Sequence, residues 1–201
     1  MAFILIILGY LLGSIPFGFV LFKLRKGGDV RDAGSGATGA TNVARQLGLR
    51  SALLVSILDI AKGAIAVLIA MQFAPESGWI QVGAGISAVI GHCFPVWIGF
   101  RGGKGVNTAL GSAIVISWPA SLLAIVVFWV MFLAFKYVSM ASLTAVSAFS
   151  IAILTAGKFF GADSLPVEAF AIILPAIIIF THRKNIVRLI RGEELKPSII
   201  A

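Results

Sequence analysis

The sequence predicts an all-α, polytopic integral membrane protein with seven transmembrane helices, forming one domain over residues 1–201. Of its 201 residues, 59% are hydrophobic and only 12% are charged. An average soluble domain carries roughly 25% charged residues. A water-soluble fold of this size has too little interior to bury so much apolar surface. The apolar residues also fall in runs near the ~18 residues that a spanning helix requires.

Seven apolar runs define the predicted helices. They cover residues 2–22, 51–73, 79–98, 106–117, 119–135, 138–157 and 165–181. The fourth run is short, so we expect a tilted or partly broken helix there. Pro119 separates it from the fifth run, because proline cannot continue a helix but is favoured in a first turn. Residues 197–201 are expected to be either a disordered tail or an expression remnant.

The basic residues are distributed unevenly among the loops. If the N-terminus lies outside and the chain crosses seven times, segments 23–50, 99–105, 136–137 and 182–201 face inward. These segments hold fourteen of the sixteen Lys and Arg residues. Cytoplasmic loops accumulate Lys and Arg, so the C-terminus is predicted to be cytoplasmic. The same rule accounts for the net charge of +8 without a nucleic-acid partner.

The first polar cluster is a glycine-rich loop that ends in an arginine. Gly34 and Gly36 allow backbone conformations that bring N–H groups together as an anion-binding nest. Thr41 and Asn42 supply neutral donors, as does the nearby Ser35, and Arg45 offers a planar fork suited to phosphate. A flexible linker between two helices is the alternative interpretation.

The second polar cluster is the segment from residue 99 to residue 105. Gly102, Gly103 and Gly105 surround Lys104, a composition that also favours an anion-binding loop. The alternative is a short cytoplasmic turn, which explains the cations but not the glycines. The segment lacks the spacing of a Walker A motif, so a nucleoside triphosphatase is disfavoured.

The third polar cluster follows the last predicted span. His182 and Asn185 are three residues apart and would share one helix face, with Glu194 further along. The neighbouring Arg183, Lys184, Arg188 and Arg191 have an alternative role in attracting anionic lipid.

Polar residues also lie inside two predicted spans. Asp59 and Lys62 can pair along the second span, either as a structural ion pair or with Asp59 orienting Lys62 toward a ligand. Ser139 and Ser142 share a face of the sixth span, where small residues also serve helix packing. All four clusters fall near the cytoplasmic interface, which favours an anionic, half-apolar ligand.

Six blocks of the chain carry a family resemblance. They are GSIPFG at residues 13–18, GSGATGATNVARQLG at 34–48, DIAKG at 59–63, GHCFPVWIGFRGGKGVNTALG at 91–111, YVSMAS at 137–142 and HRKNIVRLIRGEE at 182–194. In these blocks the sequence resembles the bacterial acyl-phosphate:glycerol-3-phosphate acyltransferase family. It departs from the family pattern at Ala37, where the family usually has Asn.

The resemblance implies acyl transfer from acyl phosphate to the 1-hydroxyl of glycerol 3-phosphate. The products would be 1-acyl-glycerol 3-phosphate and phosphate, the entry step of phospholipid synthesis. The expected catalytic residues are Ser35, Arg45, Lys104, His182 and Asn185. Expected substrate contacts are Gly34, Gly36, Thr41, Asn42, Gly102, Gly103, Gly105, Ser142 and Glu194.

Several further expectations follow. Direct transfer without an acyl-enzyme is expected, because no His–Asp pair adjoins Ser35 in the sequence. No metal or other cofactor is expected, since neither histidine has a ligand spacing around it. The partners would be the two substrates and membrane lipid, and the protein would be a monomer in the bacterial cytoplasmic membrane. A transporter of phosphate or an organic anion and a lipid-binding scaffold are the alternative functions.

Overall fold

A computed structural model describes residues 2–196, and within that range the secondary structure is helical with no strand. Two short 3-10 turns cover Val30–Asp32 and Val96–Ile98. The α-helices are α1 (Ala2–Gly13), α2 (Phe17–Lys26), α3 (Ala40–Leu47), α4 (Leu49–Phe73), α5 (Gly78–Cys93), α6 (Val106–Ile116), α7 (Trp118–Phe135), α8 (Val138–Ala156), α9 (Leu165–Thr181) and α10 (Arg183–Ile190). The tail discussed above, residues 197–201, lies outside the described range.

Prolines set several helix boundaries. Pro16 precedes α2 and separates it from α1, so the first predicted helix is broken into two. Pro119 lies in the first turn of α7, as predicted, and Pro166 does the same in α9. These positions suit proline because first-turn N–H groups have no intrahelical acceptor.

The apolar helices confirm the predicted all-α membrane architecture. Within residues 2–196, five segments are long and apolar enough to cross a bilayer, with α1 and α2 counted together. A sixth appears if α9 and α10, which are bent by 64°, are taken as one. The helix α6 has only 11 residues and spans ~16 Å, about half the ~30 Å hydrocarbon core. The seven crossings and the positions of the termini stay predictions.

Small residues bring α6 into close contact with α4. A Cβ on Gly63 would lie 2.1 Å from the Thr108 carbonyl oxygen, and one on Gly111 would lie 1.9 Å from the Ile60 oxygen. Only glycine permits such backbone proximity, as is common between helices in membranes. The short α6 is therefore fixed against the long α4, with its N-terminal end next to the second polar cluster.

Candidate functional site

One cavity of about 510 Å³ collects most of the polar residues that the sequence singled out. Its polar end is lined by residues from α3, α4, the end of α5, the start of α6, α8, α10 and the two glycine-rich loops. These are Ser35, Thr41, Asn42, Arg45, Asp59, His92, Lys104, Gly105, Asn107, Ser139, Ser142, His182, Asn185, Arg188 and Glu194. Its apolar end lies between α6, α7, α8 and α9, against Ala113, Ala124, Phe128, Trp129, Phe132, Ala145, Phe149 and Leu174.

The two glycine-rich loops lie side by side at the polar end. The Thr38 amide donates to the Gly102 carbonyl over 3.4 Å. Arg31 bridges the same loops, because its Nη1 donates to the carbonyl oxygens of Ile98, at 2.8 Å, and Arg101, at 3.0 Å. The loops therefore share one site, as the sequence predicts, and do not face opposite sides of the molecule.

Asn42 organises the first loop from within. Its side chain is buried, and its Oδ1 accepts from the Ser35 amide at 3.0 Å. Its Nδ2 donates to the carbonyls of Val30, Ala33 and Ala37. The polar atoms of Asn42 are thus used to shape the loop, and this conformation places Ser35 at the cavity.

Four of the predicted glycines shape the loops and are absent from the described residues that line the cavity: Gly34, Gly36, Gly102 and Gly103. The Gly102 and Gly103 amides donate to the carbonyls of Cys93 and His92, at 3.1 and 3.0 Å. Their N–H groups are therefore engaged by the end of α5, and the structure does not present them to an anion. Gly105 does reach the cavity, where it precedes the first turn of α6.

Three cations and two carboxylates surround the polar end. Arg45, Lys104 and Arg188 outnumber Glu194 and Asp59, and Asp59 is itself paired with Lys62, so the end carries a net positive charge. Burial lowers the pKa of Arg45 and lowers that of Lys104 to about 8, with Glu194 opposing the shift in both cases. The Lys104 ammonium is therefore poorly solvated, and such a group gains strongly from an anionic ligand.

Glu194 links three side chains around the cavity. Its Oε1 accepts hydrogen bonds from Ser139 Oγ, at 2.8 Å, and from Asn185 Nδ2, while its Oε2 accepts from Arg188 Nε at 2.8 Å. Burial raises the pKa of Glu194, but the hydrogen bonds from Arg188, Asn185 and Ser139 outweigh it and lower that pKa overall. The carboxylate thus orients Asn185 and Arg188 toward the cavity.

His182 lies at the bend between α9 and α10. It is 1% exposed, and its Nδ1 lies 2.8 Å from the Ile178 carbonyl oxygen. A carbonyl only accepts, so Nδ1 carries the proton and Nε2 is left as an acceptor. Burial lowers the pKa of His182 to about 4, with Lys104 adding to the shift. The imidazole is therefore neutral near pH 7.

Ser142 of α8 and Thr41 complete the predicted set. Ser142 donates to its own helix, at the Val138 carbonyl over 2.8 Å, and its oxygen remains an acceptor at the cavity. Thr41 lines the cavity at the start of α3. Arg188 also lines the cavity, although attraction to anionic lipid was the role considered for it and it was not among the predicted site residues. Its spacing of three from Asn185, which puts both on one helix face, was the available signal.

The apolar end forms a groove beside α8. Its lining runs from Val138 to Phe149, a distance of ~16 Å along the helix axis. Aromatic side chains from α7 form the opposite wall, with Trp129 both lining the groove and 53% exposed on the outer surface. The polar end thus continues into a space suited to an acyl chain.

Among the described residues, no group of three or more His, Cys, Asp or Glu side chains could hold a metal ion.

Comparison with known proteins places the chain in a family. Residues 3–192 match the glycerol-3-phosphate acyltransferase family. This chain belongs to that family. A relative from Prochlorococcus marinus (strain NATL1A), named glycerol-3-phosphate acyltransferase, is 41% identical over 96% of this chain and 97% of its own length. The enzyme of that name from Aquifex aeolicus (strain VF5) is 44% identical, over 96% of this chain and 97% of its own length.

Two solved structures are similar over nearly the whole fold. One is PlsY (YgiH), described as an integral membrane glycerol 3-phosphate acyltransferase, in its glycerol 3-phosphate form. It has a TM-score of 0.90 and 44% identity, covering 97% of this chain and 94% of that chain. The lysophosphatidic acid form has a TM-score of 0.87 and 42% identity, with the same coverage. The resemblance found in the sequence is thereby confirmed at the level of family and fold.

Proposed function

We propose that the protein transfers a fatty acyl group from acyl phosphate to the 1-hydroxyl of glycerol 3-phosphate, releasing 1-acyl-glycerol 3-phosphate and phosphate. The observation that carries the proposal is the continuity of one cavity from a polar end with three cations into an apolar groove. The names of the relatives support the acceptor, and the sequence resemblance supports the donor. The product would be lysophosphatidic acid, the entry compound of phospholipid synthesis.

Both substrates carry a phosphate, and the polar end offers matching charge. Arg45, Lys104 and Arg188 supply three cations against Glu194 and the Lys62-paired Asp59. The first turn of α6, directly after Gly105, adds backbone N–H groups that lack intrahelical acceptors. Preorganised donors of this kind each contribute roughly 3–4 kcal/mol in acyl transfers.

In the proposed step, the 1-hydroxyl oxygen attacks the acyl carbonyl carbon, and the bond from that carbon to the phosphate oxygen breaks. The electron pair leaves with the phosphate, whose growing charge Arg45 and Lys104 stabilise. The hydroxyl proton goes either to Nε2 of the neutral His182 or to the substrate phosphate. Ser35 donates a hydrogen bond to a phosphate or to the carbonyl oxygen, and Asn185 orients glycerol 3-phosphate.

Direct transfer is favoured over an acyl-enzyme. A nucleophilic serine needs an adjacent general base, and among the described residues no imidazole is hydrogen-bonded to the Ser35 hydroxyl. Incubation with radiolabelled acyl phosphate, acid quenching and peptide mapping tests this step. We expect no label on Ser35, and stoichiometric label there would contradict direct transfer.

The membrane placement completes the proposal: seven crossings, the N-terminus outside, and the site and C-terminus on the cytoplasmic side of a bacterial inner membrane, in a monomer. The single buried Cys93 allows labelling of cysteines introduced into a Cys93→Ser background. We expect an impermeant maleimide added outside intact cells to label Phe159→Cys but not Ile190→Cys; both positions are highly exposed. The reverse result would overturn the orientation.

The activity is tested by product identification in reconstituted vesicles. Purified protein receives glycerol 3-phosphate with acyl phosphate, acyl-CoA or an acyl carrier protein thioester as donor. We expect lysophosphatidic acid with acyl phosphate only. The matched charge variants are Lys104→Ala, expected to lose at least a hundredfold, and Lys158→Ala, whose side chain is 88% exposed, expected to be unchanged. Donor-independent uptake of glycerol 3-phosphate or phosphate by sealed vesicles, with no lysophosphatidic acid, would favour the transporter instead.

A further inference from the structure

A buried polar cluster adjoins the cavity, and two of its three members, Asp59 and His92, line it. Asp59 and Lys62 of α4 and His92 of α5 have side-chain exposures of 2%, 3% and 7%. Charged groups placed inside a membrane helix cost roughly 2.5–3.5 kcal/mol each on insertion scales. An arrangement with this cost usually performs a task.

Lys62 has a structural task. Its Nζ lies 2.8 Å from Asp59 Oδ1 and donates to the Ile15 carbonyl at 2.8 Å. Ile15 lies at the break between α1 and α2, where a carbonyl loses its helical partner. Lys62 is not among the described residues lining the cavity, which favours the structural ion pair of the two roles that the sequence left open. In the ion pair, Lys62 instead donates a hydrogen bond to a backbone carbonyl at the helix break.

Asp59 also contacts His92. Its Oδ1 lies 3.4 Å from His92 Nδ1, so the carboxylate faces one nitrogen of the imidazole without a hydrogen bond of good geometry. The other side of the ring supports the second glycine-rich loop, because a Cβ on Gly103 would lie only 2.0 Å from His92 Nε2. The Gly103 amide also donates to the His92 carbonyl at 3.0 Å. The loop therefore lies directly on the His92 ring, and the Asp59 carboxylate lies at the ring's other nitrogen.

Lys104 is the next residue along this loop. Its carbonyl accepts from Thr181 Oγ1 at 3.0 Å, so its backbone is held from α9 as well as from His92. A cation that must meet a reacting phosphate depends on such support, since a displacement of about 1 Å at a reacting group can cost ~100-fold in rate.

We propose that His92, oriented by Asp59, is a positioning residue that sets the location of Lys104 at the polar end of the cavity. This inference rests on the proposed function, in which Lys104 binds a substrate phosphate. His92 also lines the cavity, and in this proposal it acts through Lys104 and not on the substrate. Removing the imidazole lets the loop at Gly103 settle toward α5 and withdraws the ammonium from the phosphate.

A double-mutant cycle tests the proposal. The value of kcat/KM is measured for wild type, His92→Ala, Lys104→Met and the double variant. We expect His92→Ala to lower kcat/KM by ~10- to 100-fold when Lys104 is present and by less than threefold in the Lys104→Met background. Equal losses in both backgrounds would overturn the proposal, and they would mean that His92 touches the substrate or serves stability alone.

Two further variants guard against misfolding. Ser87→Ala removes another buried polar group of α5, one that bonds within its own helix to the Ala84 carbonyl, and we expect its effect on kcat/KM to be the same in both backgrounds. Asp59→Asn combined with Lys62→Met removes the carboxylate without leaving an unpaired buried charge. We expect this pair to reproduce the His92→Ala loss, again only when Lys104 is present.

A binding measurement separates this proposal from the proposed function. The affinity for inorganic phosphate is measured by calorimetry on the same four proteins, without any acyl donor. We expect His92→Ala to weaken phosphate binding by at least tenfold only where Lys104 is present. Absence of acyl transfer in wild type would refute the activity while this cycle still tests the positioning, and identical phosphate affinity in wild type and His92→Ala would refute the positioning.

Discussion

The lowered pKa of Lys104 predicts a distinctive pH dependence. Burial lowers this pKa to about 8, from an ordinary value of 10.5. The ammonium of the free protein is then about nine-tenths protonated at pH 7 and about one-tenth protonated at pH 9. Since only the cation attracts phosphate, we expect kcat/KM for glycerol 3-phosphate to fall roughly tenfold between those pH values. Phosphate esters are already dianions above their second pKa of ~6, so the substrate does not account for the fall.

The assay is a series of initial rates at low glycerol 3-phosphate, since kcat/KM reports ionisations of the free enzyme. Lys104→Met supplies the control. It removes the ionising group but keeps much of the side-chain volume, so its profile should be flat and about 100-fold lower, in line with ~3 kcal/mol. A flat wild-type profile from pH 7 to pH 9, or the same fall in Lys104→Met, would refute the reasoning.

Three other substitutions, with Gly83→Ala as a control for the first, give separate expectations. Gly103→Ala places a Cβ 2.0 Å from the His92 ring; we expect ~1–3 kcal/mol lower stability by thermal unfolding and a large loss of activity. Gly83→Ala, whose Cβ meets only a flexible side-chain end at 3.3 Å, should change neither. Ala145→Phe narrows the groove, so product analysis should show long acyl donors losing more activity than short ones. Glu194→Gln removes the charge that raises the Lys104 pKa. The kcat/KM of this variant should therefore fall at a lower pH than that of wild type.

Much of the architecture could be predicted from the sequence because composition and charge decide it. The apolar runs correspond to the helices from α4 to α9, and proline chemistry anticipates the start of α7. The break at Pro16 was missed, since the apolar run continues through it. The Ile15 carbonyl at the break accepts from Lys62, which is 47 residues away in sequence. Such a contact leaves no local signal.

The sequence predicted which residues line the candidate site more successfully than it predicted which of their atoms face the cavity. Arg45 and Lys104 line the cavity as expected, because each is a cation in a glycine-rich polar segment beside an apolar span. The glycine-rich loops suggested anion-binding nests of amides, yet the amides of Gly102 and Gly103 donate to carbonyls at the end of α5. Sequence shows where the backbone can bend, but it does not show which acceptor each N–H finds. That choice depends on tertiary packing.

The single cationic end of the cavity has a kinetic consequence. In the proposed reaction it would seat the phosphate of the acceptor and also the inorganic phosphate that is set free. Because Arg45, Lys104 and Arg188 serve one cavity, the released anion competes with the next incoming acceptor for the same donors. The rate of lysophosphatidic acid synthesis by this protein would then fall as inorganic phosphate accumulates. Lipid production would thereby be coupled to the phosphate supply without a dedicated regulatory site.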